Sequence, residues 1–298
     1  MVVTNRDLLE ILNLDVKEPV AYSLGLSNSI KPSTMSFCAD IKYVNEIKDN
    51  DNIKAVITTK VLRPELSHKK LILEVEDPRH DFYILLNTIG KKAYVRMPSS
   101  IHSSASIHPK AHVSEFNVTI GANTIISPNA TILSDVEIGE NCIIQPGTVV
   151  GSEGFEYKRT TKGILPVFHD GKVIIGNRVE IGSNTCVDKG FSFRFTIIED
   201  EVKIDNLVHI AHGVYLKRGS FIIAGSILGG SVEIGEEAWV SINGSIAPGL
   251  KIGRKSFVSI GAVVTKNVLE NQQVTGNFAM PHDTFLKNLK QILNQAKK

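Results

Sequence analysis

The stretch "IEDEVKIDNLVHIAHGVYLKRGSFI", Ile198 to Ile222, decides the fold. Stepping by six from Ile198 lands on Ile204, Ile210, Leu216 and Ile222. The steps continue through Leu228, Ile234, Val240, Ile246, Ile252, Val258 and Val264 without meeting a polar residue. Two places earlier stands mostly a small or β-branched residue, as at Val202, Val208, Val214, Ser220, Ser226, Val232, Ala238, Gly244, Ser256 and Ala262. The same phase runs through Ile120, Ile126, Ile132, Ile138, Ile144 and Val150, and again through Ile175, Ile181 and Val187. A weaker start at Ile101, Ile107 and Val113 slips by one residue before Ile120.

A period of six fits neither an amphipathic helix nor an alternating strand. It is the pattern of a parallel β-helix, in which each hexapeptide supplies a short strand and a turn, and three hexapeptides close one triangular coil. The aliphatic residue points into the prism, and the small residue before it fits where the walls converge. Glycine and asparagine at Gly139, Asn141, Gly235, Gly253 and Gly261 suit corners with positive φ. Between 101 and 268 there is room for roughly nine coils, less the loops.

Two segments break the phase. "GSEGFEYKRTTKGILPVFHDGK" (151–172) must loop out, and "KGFSFRF" (189–195) brings Phe191, Phe193 and Phe195 close together. Loops on a rigid solenoid are where a site is expected.

Outside the repeats the chain changes character. "TNRDLLEILNL" reads as a helix opened by Thr4 or Asn5 with Leu8, Leu9, Ile11 and Leu12 inward. Residues 54–59 and 70–76 read as strands, and 77–89 as a helix capped by Asp77 with Pro78 at its first position. The expected layout is a small α/β domain over 1–98, packed on the first coil, the β-helix over 99–280, and a C-terminal helix over 281–298. That helix places Phe285, Leu289, Ile292 and Ala296 on one face beside Leu286 and Leu293. Lys287, Lys290, Lys297 and Lys298 lie mostly off it, as a solvated face or a landing strip for an acidic carrier protein.

Bulk properties narrow the function. Of 298 residues, 42% are hydrophobic and 21% charged, and the net charge is only +2, so no global field argues for nucleic acid. Cys38, Cys142 and Cys186 are far apart and odd in number, which suits a reducing cytoplasm better than a disulfide framework. Acidic residues stand where a signal peptide needs an apolar core. No apolar run approaches the roughly 20 residues of a membrane span, so membrane association is expected to be peripheral at most.

Within the repeats, "KIDNLVHIAHG" (203–213), "GTVVGSEGFEY" (147–157) and "VIIGNRVEIGSNTCVDKG" (173–190) together resemble the LpxD-like UDP-3-O-acylglucosamine N-acyltransferases of the hexapeptide-repeat acyltransferase superfamily. The likeness runs over about residues 5–282. It implies a mainly β fold: a left-handed parallel β-helix of hexapeptide repeats with a small N-terminal α/β domain and a short C-terminal helix. It further implies a cytoplasmic homotrimer with active sites between subunits. The reaction would move an acyl group from a thioester, on acyl carrier protein or coenzyme A, to the amine of a nucleotide-linked amino sugar in lipid A biosynthesis. No bound cofactor and no metal is implied.

By the resemblance His212 is the general base, and an imidazole with a pKa near 6.5 suits proton removal from an attacking amine. Asp205 would orient that base or hold substrate, and Gly230, one coil of 18 residues later, would offer its N–H to the thioester oxygen. Phe37, Asp40 and Tyr43, in "SFCADIKY" (36–43), match the segment that holds uracil. Phe155, Tyr157, Asp188, Asn206 and His209 complete the substrate candidates. Arg254, Lys255 and Lys266 are the donor candidates, because residues 261–279 resemble the ending of acetyl-CoA-dependent sugar acetyltransferases.

The chain also departs from the pattern. Gly249 stands where the family has a second histidine, Gly213 replaces the asparagine after the base, and Asp40 replaces an asparagine. The missing second histidine, Asp40 and the acetyltransferase-like ending favour, as an alternative, an acetyl-CoA-dependent N- or O-acetyltransferase of a UDP- or dTDP-sugar for surface glycans. A remoter alternative, similar to γ-type carbonic anhydrases, would use His209 and His212 as part of a zinc set. A non-catalytic scaffold is the remaining class.

Overall fold

The computed structural model describes residues 2–192, 194–276 and 279–295. Phe193, Ala296, Lys297 and Lys298, and the side chain of Leu293, lie outside the described residues. The fold class expected from the repeats is the one observed. Two-residue strands follow one another every six residues and stack into three parallel sheets of nine, eight and eight strands. The nine-stranded sheet runs from Ser106–Ile107 to Gln273–Val274. One eight-stranded sheet, here the His209 wall, runs from His112–Val113 through His209–Ile210 to Val263–Val264. The third wall runs from Ser100–Ile101 to Lys251–Ile252.

The register explains the period. Ile210 pairs with Val187 on one side and Leu228 on the other, so like residues stack along the wall. All twelve aliphatics from Ile198 to Val264 are buried and share one core with the earlier block. Burying each such side chain contributes about 1.5–3 kcal/mol. At the open end the prism frays, and Ile101 is 44% exposed.

The corners use two devices. Asn123, Asn129, Asn141, Asn184 and Asn243 take positive φ, the left-handed conformation asparagine tolerates best among non-glycine residues. Gly261 does the same at φ 64°. Gly139, Gly235 and Gly253 differ from the expectation, since none has positive φ. They are glycine because the next coil's backbone passes too close: a β-carbon on Gly139 would lie 2.5 Å from the Gly176 oxygen.

The N-terminal region forms β1 (Val2–Thr4), α1 (Asn5–Leu12), β2 (Ala21–Leu24), β3 (Thr34–Cys38), α2 (Val44–Asp49), β4 (Ile53–Thr58), β5 (Leu71–Glu74) and α3 (Pro78–Ala93). The sheet order is β1-β2-β3-β4-β5, antiparallel only at β1–β2. Thr4 and Asp7 form a reciprocal capping box on α1, and Asp77 caps α3 through the His80 N–H. Leu8 is buried as expected, whereas Leu9 is half exposed.

Residues 151–172 contain an antiparallel hairpin, Tyr157–Thr160 with Gly163–Pro166. Val167, after this hairpin, and Phe191, in the second break, enter the core that α3 covers. The α/β region therefore sits on the two loops and not only on the first coil. Asn87 clamps the hairpin from α3, donating to the Pro166 carbonyl at 2.7 Å and accepting from the Phe168 N–H at 2.7 Å. Nearby, Lys189 pairs with Asp135 at 3.2 Å with both side chains buried, and Asp135 also accepts from Asn117 and Tyr94.

The last helix, α4 (His282–Gln295), leaves Phe285, Leu286, Leu289 and Ile292 exposed. No helix among the described residues is long and apolar enough to cross a membrane.

Candidate active site

His212 follows the His209–Ile210 strand, two residues past inward Ile210, at the corner between the His209 wall and the third wall. Its side chain is 17% exposed. The ring packs edge-on against Phe191, centroids 5.1 Å apart, and lies 6.3 Å from the His169 ring. Gly154 and Gly230 flank it, and a β-carbon on Gly154 would come within 2.9 Å of its Cδ2. Burial pushes the His212 imidazole below the ordinary 6.5, an effect opposed by the nearby Glu156 carboxylate.

Gly230 stacks one coil above His212, and a β-carbon there would meet the ring at 2.4 Å. Its carbonyl accepts from Gly249, while among the described residues its N–H has no acceptor. The same position one coil further is Pro248, which has no N–H to leave unpaired. On this corner row, therefore, Gly230 leaves one backbone donor unpaired next to the imidazole. A donor so placed can stabilise a developing oxyanion.

The carboxylate that meets His212 is Glu156, with Oε2 3.4 Å from Nε2. Glu156 also accepts from Lys158, the second residue of the outer hairpin strand. Asp205 lies at a different corner. Its oxygens accept from the Asn206 N–H at 2.7 Å and the Ala224 N–H at 3.2 Å, so here it braces the turn and does not meet the ring. Asn206 does similar work, accepting from the Ser183 N–H at 2.7 Å.

On the wall before the corner, His209 Nε2 stands 3.7 Å from Asp188 Oδ2. Asp188 is buried and accepts from Ser152 at 2.8 Å. His169 is buried, and its Nδ1 lies 3.0 Å from the Val167 carbonyl. Burial lowers its pKa below 6.5. Among the described residues, no group of three histidine, cysteine, aspartate or glutamate side chains could hold a metal ion.

A cavity of about 490 Å³ opens between the α/β region and the hairpin. Phe37, Tyr43 and Tyr157 line it together with Arg79, Tyr83, Lys158 and Arg159. Aromatic faces and three cations suit a base and its phosphates. Asp40 caps the short turn after β3, accepting from the Lys42 N–H, and is not among the lining residues. Phe155 is 88% exposed and its ring lies tilted against that of Tyr157, centroids 4.9 Å apart.

The donor candidates divide. Lys266 is exposed on the His212 corner row, 54 residues and so three coils further. Arg254 and Lys255 lie on another corner, paired with Glu270 at 2.8 Å and Glu237 at 3.4 Å. Gly249 has φ 74° and open space around its β-carbon position.

Known proteins resemble this chain in sequence and in fold. A family profile described as bacterial transferase hexapeptide (six repeats) matches residues 117–152. The UDP-3-O-acylglucosamine N-acyltransferase of Bordetella pertussis is 26% identical over 297 residues, 87% of this chain and 81% of that protein. This chain is similar to that N-acyltransferase over most of its length. UDP-3-O-acylglucosamine N-acyltransferase 2 of Legionella pneumophila (strain Lens) is 46% identical over 99 residues, 33% of this chain and 29% of that one. The Herminiimonas arsenicoxydans protein named UDP-3-O-acylglucosamine N-acyltransferase is 29% identical over 217 residues, 63% of this chain and 61% of the other. These two alignments thus span less than two thirds of the relatives' length. Among solved structures, the UDP-N-acetylglucosamine acyltransferase from Campylobacter jejuni shares the fold, with TM-score 0.50 and 24% identity over 60% of this chain and 72% of that one.

Proposed function

We propose that this protein transfers an acyl group from a thioester donor to the amine of a nucleotide-linked amino sugar, as in lipid A biosynthesis, with His212 as general base. The observation that carries this reading is the corner itself. A half-buried imidazole lies beside the free N–H of Gly230, within one connected set of residues that reaches a cationic, aromatic cavity. The amine attacks the thioester carbonyl, the oxyanion forms near Gly230, and His212 takes the amine proton. The sulfur leaves as the carbonyl re-forms, accepting a proton to give the free thiol.

Acyl carrier protein or coenzyme A would supply the thioester, and Lys266 is the donor candidate that shares the His212 row. The active species would be a cytoplasmic homotrimer in which a neighbouring subunit completes the cleft. A second reading, acetyl transfer from acetyl-CoA to a smaller UDP- or dTDP-sugar, is favoured by two observations. Gly249 leaves open space in place of a second histidine, and Asp40 stays out of the cavity.

The test is thiol release by purified protein across a matrix of donors and acceptors. Donors are acetyl-CoA, longer acyl-CoAs and 3-hydroxyacyl carrier protein. Acceptors are UDP-amino sugars, including the 3-O-acylated glucosamine, and dTDP-amino sugars. Turnover with the acyl carrier protein and the 3-O-acylated UDP-glucosamine, lost in His212→Ala, is the expected result. Turnover with acetyl-CoA alone selects the second reading, and full activity in His212→Ala removes both.

A further inference from the structure

Glu156 lies in the first segment that leaves the hexapeptide phase, and its carboxylate stands beside His212. Its side chain is 14% exposed, that of Lys158 is 23%, and that of His212 is 17%. A carboxylate so withdrawn from water is costly unless it is paired. Here it has two partners, Lys158 and the His212 ring.

Lys158 has two sides. One meets Glu156. The other lies over the Tyr83 ring at 4.9 Å and within 5.8 Å of the Phe191 ring, and Lys158 and Tyr83 both line the cationic cavity. The path from cavity to imidazole is therefore Lys158, then Glu156, then His212, with no gap wider than 3.4 Å between the charged atoms.

We propose that Glu156 is a positioning residue that orients His212, and that Lys158 makes this orientation respond to a phosphate-bearing ligand in the cavity. The proposal rests on His212 being the base. With the cavity unfilled, Glu156 divides its charge between an ammonium and an imidazole. A di-anionic group beside Arg79 and Arg159 competes for Lys158. Glu156 is then freer to accept the Nε2–H of His212, which fixes the tautomer and leaves the other ring nitrogen to take the proton. The base becomes competent when the acceptor's phosphates are in place. The other groups facing His212 are His169 after the hairpin, Asp188 on the wall, and Phe191, while Arg194 lies beyond Gly213.

The test follows the His212 ring resonance by NMR against pH, with the full chain, without and with UDP as probe. His212→Gln assigns the signal. In the wild type UDP should raise the His212 pKa by about half a unit or more. In Glu156→Gln the pKa should start lower and the UDP effect should vanish. In Lys158→Met it should start higher and respond little to UDP.

Steady-state rates supply the second readout. Glu156→Gln should lower kcat roughly 10- to 100-fold with KM within about twofold, and Glu156→Asp should recover part of it. Circular dichroism controls for folding. An unmoved His212 titration in Glu156→Gln, an equal UDP shift in that variant, or no UDP effect in the wild type each overturns the proposal. Should His212→Ala keep full turnover, the reading of the base fails instead, whatever the titrations give.

Discussion

Gly230 lies one coil above His212, so close that a β-carbon at 230 would sit 2.4 Å from the ring Cε1. The turn does not demand glycine here, since Gly230 has no positive φ. The imidazole demands it. Gly230→Ala should therefore fold with a loss of about 1 kcal/mol, yet displace the ring and lower kcat roughly 100-fold or more. Urea denaturation and single-turnover rates separate the two effects. An alanine variant with wild-type kcat would show that the ring position is not critical.

Burial holds both His212 and His169 below the ordinary imidazole value of 6.5. A base with a lowered pKa remains unprotonated into mildly acidic solution, so the acid limb of kcat/KM should bend below 6.5 and not at it. The sign for stability follows from linkage. Unfolded histidines take up protons near 6.5 before the folded ones do. Stability is therefore full above that value, falls as pH drops from 6.5 to the folded pKa values, and is flat below them. Urea midpoints at about pH 7.5 and about pH 5 check this. His169→Gln should flatten the difference, and an unchanged slope would deny that His169 contributes.

How far the molecule is legible in its sequence depends on phase. Ile198 to Val264 announces the β-helix because each coil repeats one steric requirement, an inward aliphatic beside a small residue, and the stacking register adds nothing unforeseen. His212 and Gly230 fall in the same frame, so their stacking is a matter of counting 18 residues. Glu156 and Lys158 sit in the segment that leaves the phase. Their positions depend on a hairpin clamped by Asn87 of α3, a contact 79 residues away in sequence. Nothing in the repeat pattern pointed to them. Asp205 shows the reverse relation. It lies in a motif beside the base in sequence, but an intervening strand carries it to another corner.

That placement gives Asp205→Ala a distinct signature. The variant removes the acceptor for two backbone N–H groups at one turn, so it should cost about 1–2 kcal/mol of stability. Activity at a temperature where the variant is folded should fall far less than in His212→Ala. A loss as deep as that of His212→Ala, with unchanged stability, would instead place Asp205 in a cleft completed by a second subunit.

The Lys189–Asp135 pair ties the second loop to the coil before the first loop. Both side chains are only 9% exposed, and Asp135 also holds Asn117 and Tyr94 at the joint between α3 and the first coils. Lys189→Met leaves a buried carboxylate with two neutral donors in place of a cation, at a cost of about 3 kcal/mol. Asp135→Asn in the same chain removes that stranded charge and should recover much of the loss, because a neutral amide suits the remaining donors better than an uncompensated ion. Thermal melts of the two single variants and the double variant measure the coupling. Because Lys189 lies on the strand that carries Asp188 and shortly precedes Phe191, Lys189→Met should also loosen the wall behind His212. A melt unchanged in Lys189→Met would mean that the burial of Val167 and Phe191 and the Asn87 clamp hold the α/β region on the β-helix without help from this ion pair.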